Sequence, residues 1–178
     1  MKEIEIKVLE VDKEKIIHRL ESIGAKKVFD GKLESTSFDY ADNRLSKEGK
    51  LLRFRFDGEK YFLTFKDNVE ESELKVRDET EIEINEEIVK ILHKLGLKET
   101  IYHEKYRVSY IFKDIRFEID TFPEAPTFVE IEAPDEKRVK DGLELLGFNM
   151  TQVSKKGATE ILEDYGIEIK NLKFKEDE

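Results

Sequence analysis

The chain has 178 residues, a formal net charge of −10, 42% charged and 38% apolar residues, and no cysteine. That length makes one domain with its own core, but the scarcity of apolar residues favours strands that bury a single face. The acidic balance excludes a general nucleic-acid surface, and the lack of cysteine excludes disulfides and thiolate metal sites.

Met1 to Leu9 alternates Glu3, Glu5 and Lys7 with Ile4, Ile6 and Val8, which predicts a strand with one apolar and one ionisable face. No bilayer-length apolar run and no signal-peptide pattern is seen, so a cytoplasmic location without a membrane partner is expected. Asp12 caps a predicted helix with the stripe Ile16, Ile17, Leu20 and Ile23, and Gly24 stops it. Residues 26–41 read as a long polar strand ending in Ser37-Phe38-Asp39-Tyr40, with turns at Asp42-Asn43 and at Ser46 to Gly49. Leu51 to Asp57 sets Leu52, Phe54 and Phe56 against Arg53 and Arg55. The Asp57-Gly58 pair signals a hairpin. The returning strand sets Tyr61, Leu63 and Phe65 against Thr64 and Lys66, and residues 67–75 read as an acidic loop.

Val76 to Asn85 carries Glu79, Glu81 and Glu83 opposite Ile82 and Ile84. Asn85 is expected to cap a second helix with the stripe Ile88, Ile91, Leu92 and Leu95, ending at Gly96. In the strand Lys98 to Phe112, Tyr102, Tyr106, Val108 and Tyr110 oppose Lys105 and Arg107, and His103 shares the charged face. Ile115 to Phe122 opposes Phe117 and Ile119 to Arg116, Glu118 and Asp120; Phe128 to Ala133 opposes Val129 and Ile131 to Glu130 and Glu132. A third helix follows from about Asp135 and a fourth over about Gly157 to Tyr165. A single domain over residues 1–167 and a charged, fraying tail over 168–178 are expected.

About eight strands therefore share one pattern, and the charged faces sort by sign. Arg53, Arg55, Lys66, Lys105 and Arg107 make basic strands, whereas Glu79, Glu81, Glu83, Glu118, Asp120, Glu130 and Glu132 make acidic ones. The fold class predicted is α+β: a closed eight-stranded antiparallel β-tunnel (barrel) with flanking helices and a polar interior. Such an interior cannot be a core, because uncompensated buried charges are costly. Guanidinium forks suit a polyphosphate, and carboxylates suit Mg²⁺ or Mn²⁺. No Gly-rich phosphate loop and no serine elbow offers another chemistry.

In this order the segments resemble the CYTH superfamily of triphosphate tunnel metalloenzymes, in its class IV adenylyl cyclase and thiamine triphosphatase-like branch. The likeness begins at Glu3-Ile4-Glu5-Ile6-Lys7, a match to an ExExK motif. It runs through Ser37-Phe38-Asp39, Leu52-Arg53-Phe54-Arg55, Leu63-Thr64-Phe65-Lys66 and Glu79-Thr80-Glu81-Ile82-Glu83. Lys105-Tyr106-Arg107, Phe117-Glu118-Ile119-Asp120 and Val129-Glu130-Ile131-Glu132 complete it. The resemblance implies Mg²⁺- or Mn²⁺-dependent chemistry on a small-molecule triphosphate. It makes Glu3, Glu5 and Lys7 catalytic, and Lys7, Arg53, Arg55, Lys66, Lys105 and Arg107 the triphosphate contacts. Glu3, Glu5, Glu130 and Glu132 become metal ligands, with Glu81, Glu83 and Asp120 as further ones. Three functions are compatible with it: a triphosphatase acting on an inorganic, nucleoside or thiamine triphosphate, a cyclase forming cyclic AMP and pyrophosphate from ATP, and a non-catalytic polyphosphate-binding module. Apolar outer faces left uncovered would suit a homodimer.

Overall fold

The computed structural model describes the backbone of residues 2–70 and 75–175 and the side chains of 4–67 and 78–175. The first half of the chain forms β1 (Lys2–Val8), α1 (Lys13–Ser22), β2 (Lys26–Tyr40), α2 (Arg44–Lys47), β3 (Leu51–Phe56), β4 (Tyr61–Glu70) and β5 (Lys75–Ile84). The second half forms α3 (Ile88–Lys94), β6 (Leu97–Phe112), β7 (Ile115–Thr121), β8 (Phe128–Ala133), α4 (Glu136–Leu146), β9 (Val153–Ser154) and α5 (Ala158–Asp164). The loop expected over 67–75 is mostly strand, and its centre, residues 71–74, lies outside the described residues.

The fold is α+β, with one antiparallel nine-stranded sheet in the order β5-β4-β3-β2-β6-β7-β8-β1-β9. In addition β1 pairs with β5, from Lys2 opposite Asp78 to Glu5 opposite Lys75. Its other edge pairs with β8. The ninth strand was not foreseen, because two residues are too short to show an alternation. It continues the β5 edge of β1, setting Val153 and Ser154 opposite Val8 and Lys7.

The apolar faces point outwards and are covered by helices. Ile6, Val8, Phe117, Ile119, Val129 and Ile131 are buried beneath α1 and α4, which contribute Ile16, Leu20, Val139 and Leu143. Both helices start where expected: Asp12 accepts from the Lys15 amide and Asp135 from the Arg138 amide. On another part of the sheet, Leu92 of α3 packs with Phe38 and Leu97, against Leu52, Phe54 and Leu63. The expected α3 stripe is only partly buried, for Ile91 and Leu95 are 52% and 62% exposed. Asn85 does not cap this helix; it accepts from the Glu87 amide one turn earlier, so α3 has only two turns and docks a narrow face through Leu92. Asp39 holds α2 in place by accepting from the amides of Tyr40, Leu45 and Ser46, a purely structural use of a motif carboxylate.

Residues 169–174, part of the expected tail, are bound to the rest of the chain. The edge of β6 left open where β7 ends is taken up by them: the Glu104 amide donates to the Leu172 carbonyl and the Asn171 amide to the Tyr102 carbonyl. The Phe174 amide donates to the Glu104 carboxylate. Ile169 is buried with Phe122, Phe128 and Leu162 in a separate apolar cluster. Among the described residues no helix is long and apolar enough to cross a membrane.

Helix α4 approaches the sheet closely at Gly142, where an added Cβ would lie 2.8 Å from Ile131 Cγ2 and 3.2 Å from Ile115 Cγ2. Alanine in a helix interior normally stabilises by about 1 kcal/mol over glycine, but overpacking a core costs about 1–3 kcal/mol. Gly142→Ala is therefore expected to lower stability, with a melting temperature several degrees below wild type in a thermal denaturation. An unchanged or higher melting temperature would show that the α4–sheet contact is looser than described.

Candidate functional site

The inward faces of the strands line a cavity of about 500 Å³. Among the described residues seven carboxylates (Glu5, Glu79, Glu81, Glu118, Asp120, Glu130, Glu132) and seven cationic groups (Lys7, Arg53, Arg55, Lys66, Lys105, Arg107, Arg116) line it, so the cavity is charge-balanced inside an acidic protein. They come together because two-residue periodicity sends every second side chain of β1 and β3–β8 to the same side.

One wall is acidic. The β1–β8 register sets Glu5 directly opposite Glu132, and the β7–β8 register sets Glu118 opposite Glu130. Like charges facing each other across strands are destabilising unless a cation intervenes. Oxygens of Glu5, Glu130 and Glu132 lie within 4.8 Å of one another. Burial and the neighbouring Glu118 and Glu130 push the Glu132 carboxyl well above the usual range, and it shares a hydrogen bond with Glu130. The cluster thus carries more negative charge than its own cations neutralise. Lys7 lies beside it, with Nζ 2.9 Å from Glu130 and 3.3 Å from Glu5. Burial alone would lower the Lys7 pKa, but Glu130 and Glu5 hold the ammonium above its ordinary value. Burial would likewise raise Glu130, which Lys7, Arg107 and Lys105 instead keep well below the carboxylate range.

The other walls are basic and tightly paired. Asp120, wholly buried, accepts from Arg107 Nε and Nη2 at 2.6 Å each and from Lys105 Nζ at 2.7 Å. Arg107 also meets Glu118. Arg55 Nη2 reaches both Glu81 oxygens at 2.9 and 3.0 Å, and Thr64 donates to Glu81 at 2.6 Å. Lys66 pairs with Glu79. The Nε groups of Arg53 and Arg55 are buried without a partner. Burial, with Arg107 close by, pushes the Lys105 ammonium down to about 8 despite Asp120.

Most of the residues singled out from sequence thus converge, with three differences in the expected metal set. Glu83 lies at the exposed end of the β4–β5 hairpin, 57% accessible and paired with Lys60, away from the cavity. Glu81 and Asp120 line the cavity but are engaged by Arg55 and by Lys105 and Arg107, and neither belongs to the three-carboxylate cluster. Glu3 sits in β1, and its side chain lies outside the described residues. The alternation did not disclose Gly157, Ala158, Thr159 and Ile169, which also line the cavity, because they belong to α5 and the C-terminal segment.

Fold and site together define a protein built around a charge-balanced polar cavity on the inner side of a curled antiparallel sheet, with its apolar core on the outer side. The chain belongs to the CYTH domain family, whose model matches residues 1–161. A Methanocaldococcus jannaschii protein provisionally named an adenylate cyclase is 32% identical over 134 residues, 74% of this chain and 77% of that one. The PH1012 protein of Pyrococcus horikoshii has a similar structure, with a TM-score of 0.74 and 26% identity over 89% of this chain and 98% of that one. A Hippeastrum protein, provisionally named an adenylyl cyclase and described as having a dominant triphosphatase activity, shares the fold with a TM-score of 0.64 and 18% identity, covering 93% of this chain and 96% of that one.

If Asp120 is the counterion that Lys105 and Arg107 share, Asp120→Asn should cost about 3–5 kcal/mol, the usual penalty for removing one partner of a buried ion pair. Glu83→Gln at the exposed hairpin end should stay within about 0.5 kcal/mol of wild type. Urea denaturation of both variants checks the contrast, and equal effects would refute it.

Proposed function

We propose that this protein is a divalent-metal-dependent triphosphatase that holds its substrate inside a closed β-tunnel. The observation that carries this reading is the charge-balanced cavity with its three-carboxylate cluster. A triphosphate entering alone would leave a large buried excess of negative charge. A triphosphate entering with divalent cations would not. The β1–β5 pairing supports closure, because β1 then has neighbours on both edges.

The donor set fits Mg²⁺ or Mn²⁺, hard ions that take oxygen ligands: carboxylate oxygens within 4.8 Å of one another would be able to share one ion. Burial and its acidic neighbours raise the proton affinity of Glu132, and such an ion would favour its charged form. Glu5, Glu130 and Glu132 would hold the ion, which when bound would stabilise charge on phosphate oxygens and help to orient the nucleophile.

The chain's own groups do the remainder. Arg53 and Arg55 offer buried Nε–H donors with no protein partner, and these bind and orient phosphate oxygens. Lys7 and Arg107 stay charged through their carboxylate neighbours and neutralise negative charge that grows on the leaving group. In hydrolysis a water oxygen bonds to the terminal phosphorus, the anhydride P–O bond breaks, and the water proton passes to a carboxylate or to solvent. Cyclisation is the second reading, favoured by the name of the M. jannaschii relative. There the ribose 3′-oxygen attacks the α-phosphorus and pyrophosphate leaves.

A product assay separates these readings. With Mg²⁺ or Mn²⁺ the protein is expected to release orthophosphate from ATP, thiamine triphosphate or tripolyphosphate, and none with excess chelator. Glu130→Gln should lower kcat by about 10²–10³-fold, the typical cost of removing one electrostatic stabiliser. Cyclic AMP with equimolar pyrophosphate would establish the cyclase instead, and binding without turnover would overturn both.

A pH dependence follows from Lys105. Its protonated form, the one that attracts phosphate, predominates below about 8 in the free protein and is lost above it. Accordingly kcat/KM, which reports the free enzyme, is expected to fall as pH rises through about 8. In Lys105→Arg, whose guanidinium stays charged, that fall should disappear. Its persistence in the variant would assign it to another group.

A further inference from the structure

The two halves of the sheet treat their outer faces differently. Beneath α1 and α4 the outward residues Ile6, Phe117, Val129 and Ile131 are almost wholly buried. On β3, β4 and β5 the same alternation builds an apolar layer with no such cover. The strand registers set Phe56, Tyr61 and Ile84 in one row of this layer and Phe54, Leu63 and Ile82 in the next. None of these six side chains is buried, and Ile82 is 52% exposed. Phe65, on the same face of β4, is exposed as well. Tyr61 stacks on Phe54 and Phe56, with ring centres 5.4 and 4.6 Å apart, which gives the face an aromatic centre.

Helix α3 shields only one border of the layer. Its Leu92 joins Phe38 and Leu97, against which Leu52, Phe54 and Leu63 pack, while its Ile91 and Leu95 are left exposed and extend the apolar surface. The apolar face of a sheet is stable only against another layer, and contiguous exposed apolar surface marks an interaction site.

The charges around the face say what covers it. At the end that carries the β3–β4 turn stand the exposed Glu59, Glu86 and Glu87, the last of them answered by Lys90. Helix α3 runs from there to Leu97, which pairs with Tyr40 beyond the Phe38–Leu52 pair, so its last turn lies at the opposite end. That end is basic. Lys94 is exposed there, as are Arg44 and Lys47 of α2, which Tyr40 and Leu45 join to the same cluster. A second copy turned by half a turn about an axis through the face sets each acidic end on a basic one. Such self-complementarity is what a twofold interface requires. The centre of the face is uncharged, so two chains of net charge −10 can meet there, whereas an anionic partner or an anionic membrane is repelled.

We infer that the outer face of β3, β4 and β5, bordered by α3, is the interface of a twofold homodimer. The second copy supplies the layer missing behind Arg53, Arg55 and Lys66, whose strands are otherwise braced mainly by ion pairs on their inner side. The inference does not depend on which substrate the cavity takes.

Sedimentation velocity of the full chain, run as a concentration series, tests it. Wild type is expected at twice the mass of one chain at micromolar concentrations, with a melting temperature that rises with protein concentration. Ile82→Glu and Leu95→Glu, both at exposed positions, should each raise the dissociation constant of the dimer at least about tenfold and keep the wild-type circular dichroism. Val28→Glu, at a 42% exposed site outside this face, should leave the dimer intact. Lys94→Glu should weaken the dimer, and Glu86→Lys in the same chain should restore it, because the twofold brings these ends together. A monomer at every concentration overturns the proposal. So does a dimer that survives both Ile82→Glu and Leu95→Glu or is broken by Val28→Glu, and failure of the charge reversal to restore pairing overturns the twofold arrangement. A monomer that instead floats with phosphatidylcholine vesicles assigns the face to a membrane and overturns the dimer too.

Discussion

Asp120 and the two cations that share it form the interaction on which the rest of the arrangement depends. Neither Lys105 nor Arg107 could stay inside the sheet without a carboxylate, since burying an unpaired charge costs more than any single apolar contact returns. The β6–β7 register puts Arg107 directly opposite Asp120, and Lys105 lies two residues away on the same face. A slip of one residue would send these three groups into the apolar layer under α1 and α4 and bring Val108 and Ile119 into the cavity. The ion pairs and the outer core thus enforce the same register from opposite sides of one sheet, and the helices are needed because the apolar face points outwards.

The same balance decides what the cavity can accept. Its cations are already matched to carboxylates, so an anion gains little unless it displaces an acidic partner or brings positive charge with it. The acidic wall answers the second possibility. Glu5 faces Glu132 and Glu118 faces Glu130, and that crowding of carboxylates, with burial, raises the proton affinity of Glu132. A hard divalent ion relieves that crowding more effectively than one proton. On the proposed reading, affinity for the cation and affinity for the polyanion would therefore be coupled, each supplying the charge that the other needs.

Period-two alternation was enough to read the faces of β1, β3, β4 and β6–β8, and hence the convergence of Glu5, Lys7, Arg53, Arg55, Lys66, Lys105, Arg107, Glu130 and Glu132 on one cavity. Alternation reports which side a residue faces, but not how far along the strand the cavity reaches. Glu83 has the correct face and lies beyond the rim. Nor does it report the partner across the cavity: Asp120 and Glu81, read from the sequence as metal ligands, pair in the structure with Lys105 and Arg107 and with Arg55. The two-residue β9 and the C-terminal strap carry no periodic signal. Their positions depend on edges of β1 and β6 left open by other strands, which only the assembled sheet reveals.

That strap bears on how hydrolysis and cyclisation differ. On the proposed reading both would use the same cations and the same acidic wall, and they would part only in which oxygen reaches which phosphorus. Water is small and finds the terminal phosphorus wherever the chain is held in line. A ribose hydroxyl must be carried to the α-phosphorus by the orientation of its own sugar, which is set by whatever grips the base. Ile101, Phe122, Phe128 and Ile169 give the cavity an apolar portion, the last of them from beyond the matched family region. On the proposed reading, the choice between the two reactions would therefore depend on that apolar portion as well as on the charged walls.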